Sequence, residues 1–160
     1  MRITNVNMAA VKLGLERWYA AEIAALTEGM GQAGMMLLND ATMELPTTPM
    51  LTGFLRGSGS VFANGKLVGT SPDFGGGGSP ATTDEKPSGK PGVFVRVGFN
   101  TVYAAALHEG RWATGPLAGV VITNWSEKGS GKGYLIRSLR AHRNEYIGTA
   151  VDYARQKLGM

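Results

Sequence analysis

His108, Glu109 and His142 are the side chains of this sequence best suited to chemistry. The first two end the stretch 97–110, V-G-F-N-T-V-Y-A-A-A-L-H-E-G. A zinc-protease helix needs H-E-x-x-H, with both histidines on one helical face. Trp112 stands where the second histidine would be, and His142 is far along the chain. Two histidines and a carboxylate can still converge in space on a metal, but no local spacing supports it. Serine catalysis would need a nucleophile elbow, and Ser58 and Ser60 lie in none. Lys132 sits in K-G-S-G-K-G. A phosphate loop would require Gly at Ser126 and Ser or Thr at Gly133. No catalytic, cofactor-binding or metal-binding residue is therefore assigned. An ionisable pair that closes an apolar strand before a glycine is more often a hydrogen-bonded corner or an intersubunit contact. His108 and Glu109 are expected to be that.

Other residues suggest surfaces rather than reactions. Arg137, Arg140 and Arg143 fall on one side of a C-terminal helical pattern and are candidates for DNA or an acidic partner. The alternative is a solvated helix face. Trp112 and Trp125 lie in glycine-rich stretches and are candidate interface anchors. Phe74 is the one large apolar residue in the low-complexity segment 71–92 and is a candidate anchor as well.

The elements that must position these residues follow from periodicity. From 7 to 44, Val11, Leu15, Trp18, Tyr19, Leu26, Met30, Ala33 and Leu37 recur at three- and four-residue steps, which predicts a helix. Unbroken, it would span roughly 55 Å. Gly29, Gly31 and Gly34 predict a kink, a division into two helices, or a close backbone approach. Asn5 or Asn7 is the expected cap, and Pro46 and Pro49 the expected stop. Thr52-Gly53 reads as a turn and 54–62 as a strand. Asn64-Gly65 reads as a hairpin turn leading into 66–70. Segment 71–92 is expected to be a mobile loop. Residues 93–99 alternate as a strand. Residues 102–107 read as strand or helical turn, and 119–124 as a short strand. Residues 134–158 read as a helix with Leu135, Leu139, Tyr146, Ala150 and Tyr153 on one face. The order predicts α+β: a long N-terminal helix, a small mainly antiparallel sheet with a long Gly-rich loop, and a C-terminal helix packed on the sheet. Tyr103 is expected in the core.

Composition bounds the function classes. The 160 residues suit one domain, expected to span 1–160. Apolar residues make up 43% and charged residues 18%, a globular balance. There is no cysteine, so neither disulfides nor thiolate metal sites are available. No apolar run reaches membrane-spanning length. The first residues, M-R-I-T-N-V-N-M, carry no secretion-leader pattern, so the Asn124-Trp125-Ser126 sequon is read as chance. A net charge of +4 permits contact with nucleic acid without requiring it.

Three stretches carry a family resemblance: P-T-T-P-M-L-T-G-F-L-R-G-S at 46–58, residues 97–110, and G-K-G-Y-L-I-R-S-L opening the last helical pattern. Together they resemble the minor structural proteins of tailed bacteriophages, in the head–tail joining and tail-completion (neck) family. Those proteins show a helix ending in proline and a T-G-x-L-R-x-S turn and strand. A Tyr-Ala…Glu-Gly element, a variable loop and a final helix follow. Here the aspartate usual before the Thr-Gly pair is missing, and segment 71–92 is longer. The resemblance implies a non-enzymatic α+β subunit without cofactors, associating with itself in a ring, with six copies as one candidate number. It implies a head-side connector or adaptor, a tail terminator or tail-tube protein, and passing DNA as partners. It places the protein in the virion neck, with assembly in the host cytoplasm. Arg56, within the T-G-x-L-R-x-S motif, joins the interface or corner candidates. Alternatives are a minor capsid or tail-tube-associated component, or a basic nucleic-acid-binding module.

Overall fold

The apolar periodicity that begins near residue 8 produces one unbroken helix, α1 (Met8–Met43), in a computed structural model that describes residues 8–44, 47–49, 53–84, 92–112, 115–125 and 128–160. The expected division into two helices does not occur; Gly29, Gly31 and Gly34 permit close approach. A Cβ on Gly29 would lie 2.3 Å from the carbonyl oxygen of Ala150, in the last helix. The capping asparagines and Pro46 lie outside the described residues. Past them the chain returns over the helix end, where Thr48 donates to the Ala41 carbonyl from both its N–H (2.8 Å) and its hydroxyl (2.7 Å). That carbonyl is one of the acceptors a helix terminus leaves open.

A single turn of 3-10 helix (Arg56–Ser58) leads into β1 (Gly59–Ala63), β2 (Lys66–Thr70) and β3 (Val95–Phe99). The strand expected over 54–62 is thus shorter and starts later. Thr52 of the expected turn is not among the described residues, but Gly53 has a left-handed φ of 80°. The sheet is antiparallel, ordered β2-β1-β3. The hairpin at Asn64 and Gly65 forms as expected, both with positive φ, 49° and 81°. Such values match the twist of flanking strands.

Every residue of the central strand β1 is buried, because both faces are covered. Val61 and Ala63 face α1, in contact range of the Gly34 and Gly31 positions. Ser60 and Phe62 face residues 81–84 across a shallow hollow. The glycine-rich segment therefore runs, over 71–84, across the second face of the sheet without regular structure. Asn100 donates to the Ser79 carbonyl (3.2 Å), and Arg96 pairs with Asp84. Residues 85–91 lie outside the description.

The expected α+β class is what forms. The stretch left open between strand and helical turn is helical: α2 (Ala104–Glu109). The expected strand at 119–124 reduces to an isolated bridge, Arg111 with Val121. The single C-terminal helix is two, α3 (Tyr134–Ala141) and α4 (Arg143–Leu158), broken at His142, whose φ of −112° and ψ of 16° leave the helical region. α3 meets the sheet through Tyr134, whose ring stands edge-on to Phe99 at 5.5 Å. α4 packs chiefly on α1, through Ala33, Tyr146 and Ala150. Small residues on both helices set this close contact, and Tyr153 (3.1 Å) and Lys157 clamp its far end onto Glu28.

Candidate functional site

The His108-Glu109 corner closes a helix, not a strand. Gly110 takes a left-handed φ of 72° and its N–H returns to the carbonyls of Ala106 and Leu107. The Arg111 N–H reaches the Ala106 carbonyl at 3.1 Å, a pattern that satisfies the last turn. The His108 carbonyl accepts the Gly133 N–H at 2.8 Å, joining the end of α2 to the start of α3. Tyr134, 1% exposed, completes the joint. Its ring stands edge-on to His108 at 4.9 Å, and its hydroxyl donates to the Ala104 carbonyl at 3.1 Å. Burial pushes the Tyr134 phenol well above its usual range. Tyr134 thus takes the central place expected for Tyr103, which is partly buried with its ring 6.5 Å from Phe54.

Burial lowers the His108 pKa below 6.5, with Glu109 opposing. Among the described residues its Nδ1 has no hydrogen-bond partner. Glu109 is exposed. The Ser58 hydroxyl is buried and donates to the Leu55 carbonyl at 2.7 Å.

His142 belongs to a different cluster. Its Nε2 lies 2.9 Å from Glu44 and its Nδ1 3.3 Å from Glu145. Asp40 stands beside it and accepts the Tyr146 hydroxyl at 2.5 Å. One ligand atom each from Asp40, Glu44 and His142 fall within 4.8 Å of one another, and His108 is not in the group. Direct imidazole–carboxylate bonds account for this geometry as a charged joint between the end of α1 and the α3–α4 break. Desolvation works against the charge, but the Glu145 bond and the Glu44 and Asp40 carboxylates outweigh it and raise the His142 pKa above 6.5.

The other candidate residues are scattered. Arg56 is buried; its Nε donates to the Thr48 carbonyl (2.7 Å) and its Nη2 to the Thr47 hydroxyl (3.0 Å). Its own carbonyl accepts the Ser71 hydroxyl at 2.5 Å, and Ser71 accepts the Gly59 N–H at 2.9 Å. Phe74 is partly buried, its carbonyl 2.3 Å from where a Gly53 Cβ would be. Trp112 exchanges backbone bonds with Gly119 (2.7 Å) and Val120 (3.0 Å); it and Trp125 are partly buried. Arg137, Arg140 and Arg143 are all exposed.

Two apolar surfaces emerge that residue motifs did not indicate. The first is the leading half of α1: every residue from 8 to 21 is exposed, including Leu15 at 61% and Trp18 at 55%. The apolar stripe continues past the length that the rest of the chain can cover, and helix length against domain size was the available signal. The second is a groove of about 340 Å³ between the later half of α1, β3 and α3, with His108 on its wall. No helix among the described residues is long and apolar enough to cross a membrane.

No protein-family model, curated protein or solved structure matches this chain.

Proposed function

We propose that the protein is a structural subunit of a tailed-phage virion. In this reading it forms a ring in the neck, joins the head-side connector to the tail, and leaves a channel for DNA. It works by assembly through many weak contacts, without catalysis. The observation that carries the reading is the exposed apolar half of α1. A large exposed apolar face marks an interaction surface. The three sequence stretches that resemble the neck family supply the biological setting.

The buried tie of Arg56 to Thr47 and Thr48 and the joint of Ala104, His108 and Tyr134 suit a subunit that presents surfaces to neighbours. Arg137, Arg140 and Arg143 favour a second reading, a basic module that binds nucleic acid. The two separate in solution. Light scattering and negative-stain microscopy of the purified protein should give closed rings with an open centre, which add to tail-less heads or head-less tails. A monomer at high concentration that joins neither would end the neck reading. Tight DNA binding with a steep salt slope, abolished by replacing the three arginines, would favour the second.

A further inference from the structure

We infer that the projecting half of α1 seats across the apolar groove of a neighbouring copy, so that copies join head to tail. This rests on the ring reading above and assigns its contact. At about 100° per residue, Trp18, Val11, Leu15 and Tyr19 fall within an arc of roughly 100°, a stripe wide enough to bury. The groove offers a matching apolar wall in Met30, Leu37, Val97, Ile136, Leu139 and Tyr146. Three turns of helix, about 10 Å across and 16 Å long, occupy roughly 1,200 Å³, far more than the groove's 340 Å³. The groove therefore takes large side chains such as Leu15 and Trp18, and the helix lies across its mouth.

The occupant must come from another chain. Met30 and Leu37 of the groove belong to the same unbroken helix as the stripe, so α1 cannot fold back onto its own groove. Charge favours the groove over parallel pairing of two α1 stripes. By helical angle Glu22 falls inside the stripe, while Arg17 falls on the far side. Parallel pairing of two stripes would set Glu22 against Glu22. The groove instead has the exposed Arg137 and Arg140 on α3, beside its lining residues Ile136 and Leu139. A contact between two different patches of one chain is heterologous and closes into a ring when the rotation allows.

The absence of cysteine makes the test clean. Leu15→Cys and Leu139→Cys are made singly and together, treated with a short bis-maleimide, and run beside wild type sized by light scattering. The double variant should give a ladder of covalent multimers, with the single variants giving none. Dimers from Leu15→Cys alone would show α1 pairing with α1 and overturn the assignment. Wild-type rings with no ladder would overturn it and leave the ring reading standing. A monomeric wild type would overturn both. Leu15→Asp, at an exposed position, should keep the wild-type circular dichroism and shift the protein to monomer. Retention of the wild-type oligomer by this variant would overturn the contact.

Discussion

Arg56 carries a permanent charge into a buried position, where its guanidinium holds the Thr47–Thr48 turn and its carbonyl holds Ser71. Arg56 thus holds the residues after α1 through its side chain and the start of the glycine-rich segment through its backbone carbonyl. Removing its donors leaves the fully buried Thr48 carbonyl without that bond, which costs about 1–3 kcal/mol. Arg56→Met should lower the urea midpoint accordingly, with the denaturant slope unchanged. The two histidines respond to pH in opposite senses. His142 has a raised pKa, so its ion-pair contribution is complete below 6.5 and is lost as pH rises through the higher folded value. His108 has a lowered pKa, so stability is complete above 6.5 and falls as pH drops through the lower folded value. Proton NMR should place the two titrations on opposite sides of 6.5. His108→Phe should weaken the acid-side loss of stability and His142→Gln the alkaline-side loss; a shared midpoint would contradict both environments.

At the scale of elements, glycine has two different meanings within α1. Gly14 has open space around it, whereas a Cβ on Gly29 would collide with the Ala150 backbone. Backbone collisions are not relieved by a rotamer change. Gly29→Ala should therefore destabilise by about 1–3 kcal/mol, through separation of α1 from α4. Gly14→Ala should stabilise by about 0.5–1 kcal/mol, the ordinary helix preference. Thermal melts of the two single variants, shifting in opposite directions, check the contrast. Much at this scale was legible beforehand. The hairpin at 64–65 follows from the Asn-Gly dipeptide, and α1 from its apolar period. The break at His142 was not legible, because residues 134–158 keep helical composition throughout. It arises where His142 leaves the helical line to meet Glu44 and Glu145. The corner at 104–109 was ambiguous because alanine-rich runs lack a decisive period, and capping by Gly110 resolved it.

At the scale of the whole molecule, a sheet covered on both faces carries a long exposed helical arm. α1 and the 71–84 segment enclose β1 from opposite sides, and the first 14 residues of the described helix extend beyond, all exposed. The arm should show fast hydrogen exchange in dilute protein and marked protection at concentrations where copies associate. The contact inferred above also predicts protection of residues 135–140 in the same samples. Protection of the arm without that of α3 would place the partner elsewhere.

The sequence by itself determined the α+β class, the long first helix, the hairpin and the lack of a linear catalytic signature. These depend on local period, turn chemistry and spacing, which are properties of neighbours along the chain. It also marked His108-Glu109 as a corner or an intersubunit contact, expected at a strand end where a helix end forms. Only the tertiary structure decided which face of each element is covered. Tyr134 rather than Tyr103 anchors the corner, Arg56 is buried as a tie, and His142 rather than His108 joins carboxylates. The apolar stripe of α1 is fully exposed up to residue 21 and partly covered from about Ala25 onward. A stripe has the same period whether its partner lies in its own chain or in another, so exposure depends on where the remaining chain ends up.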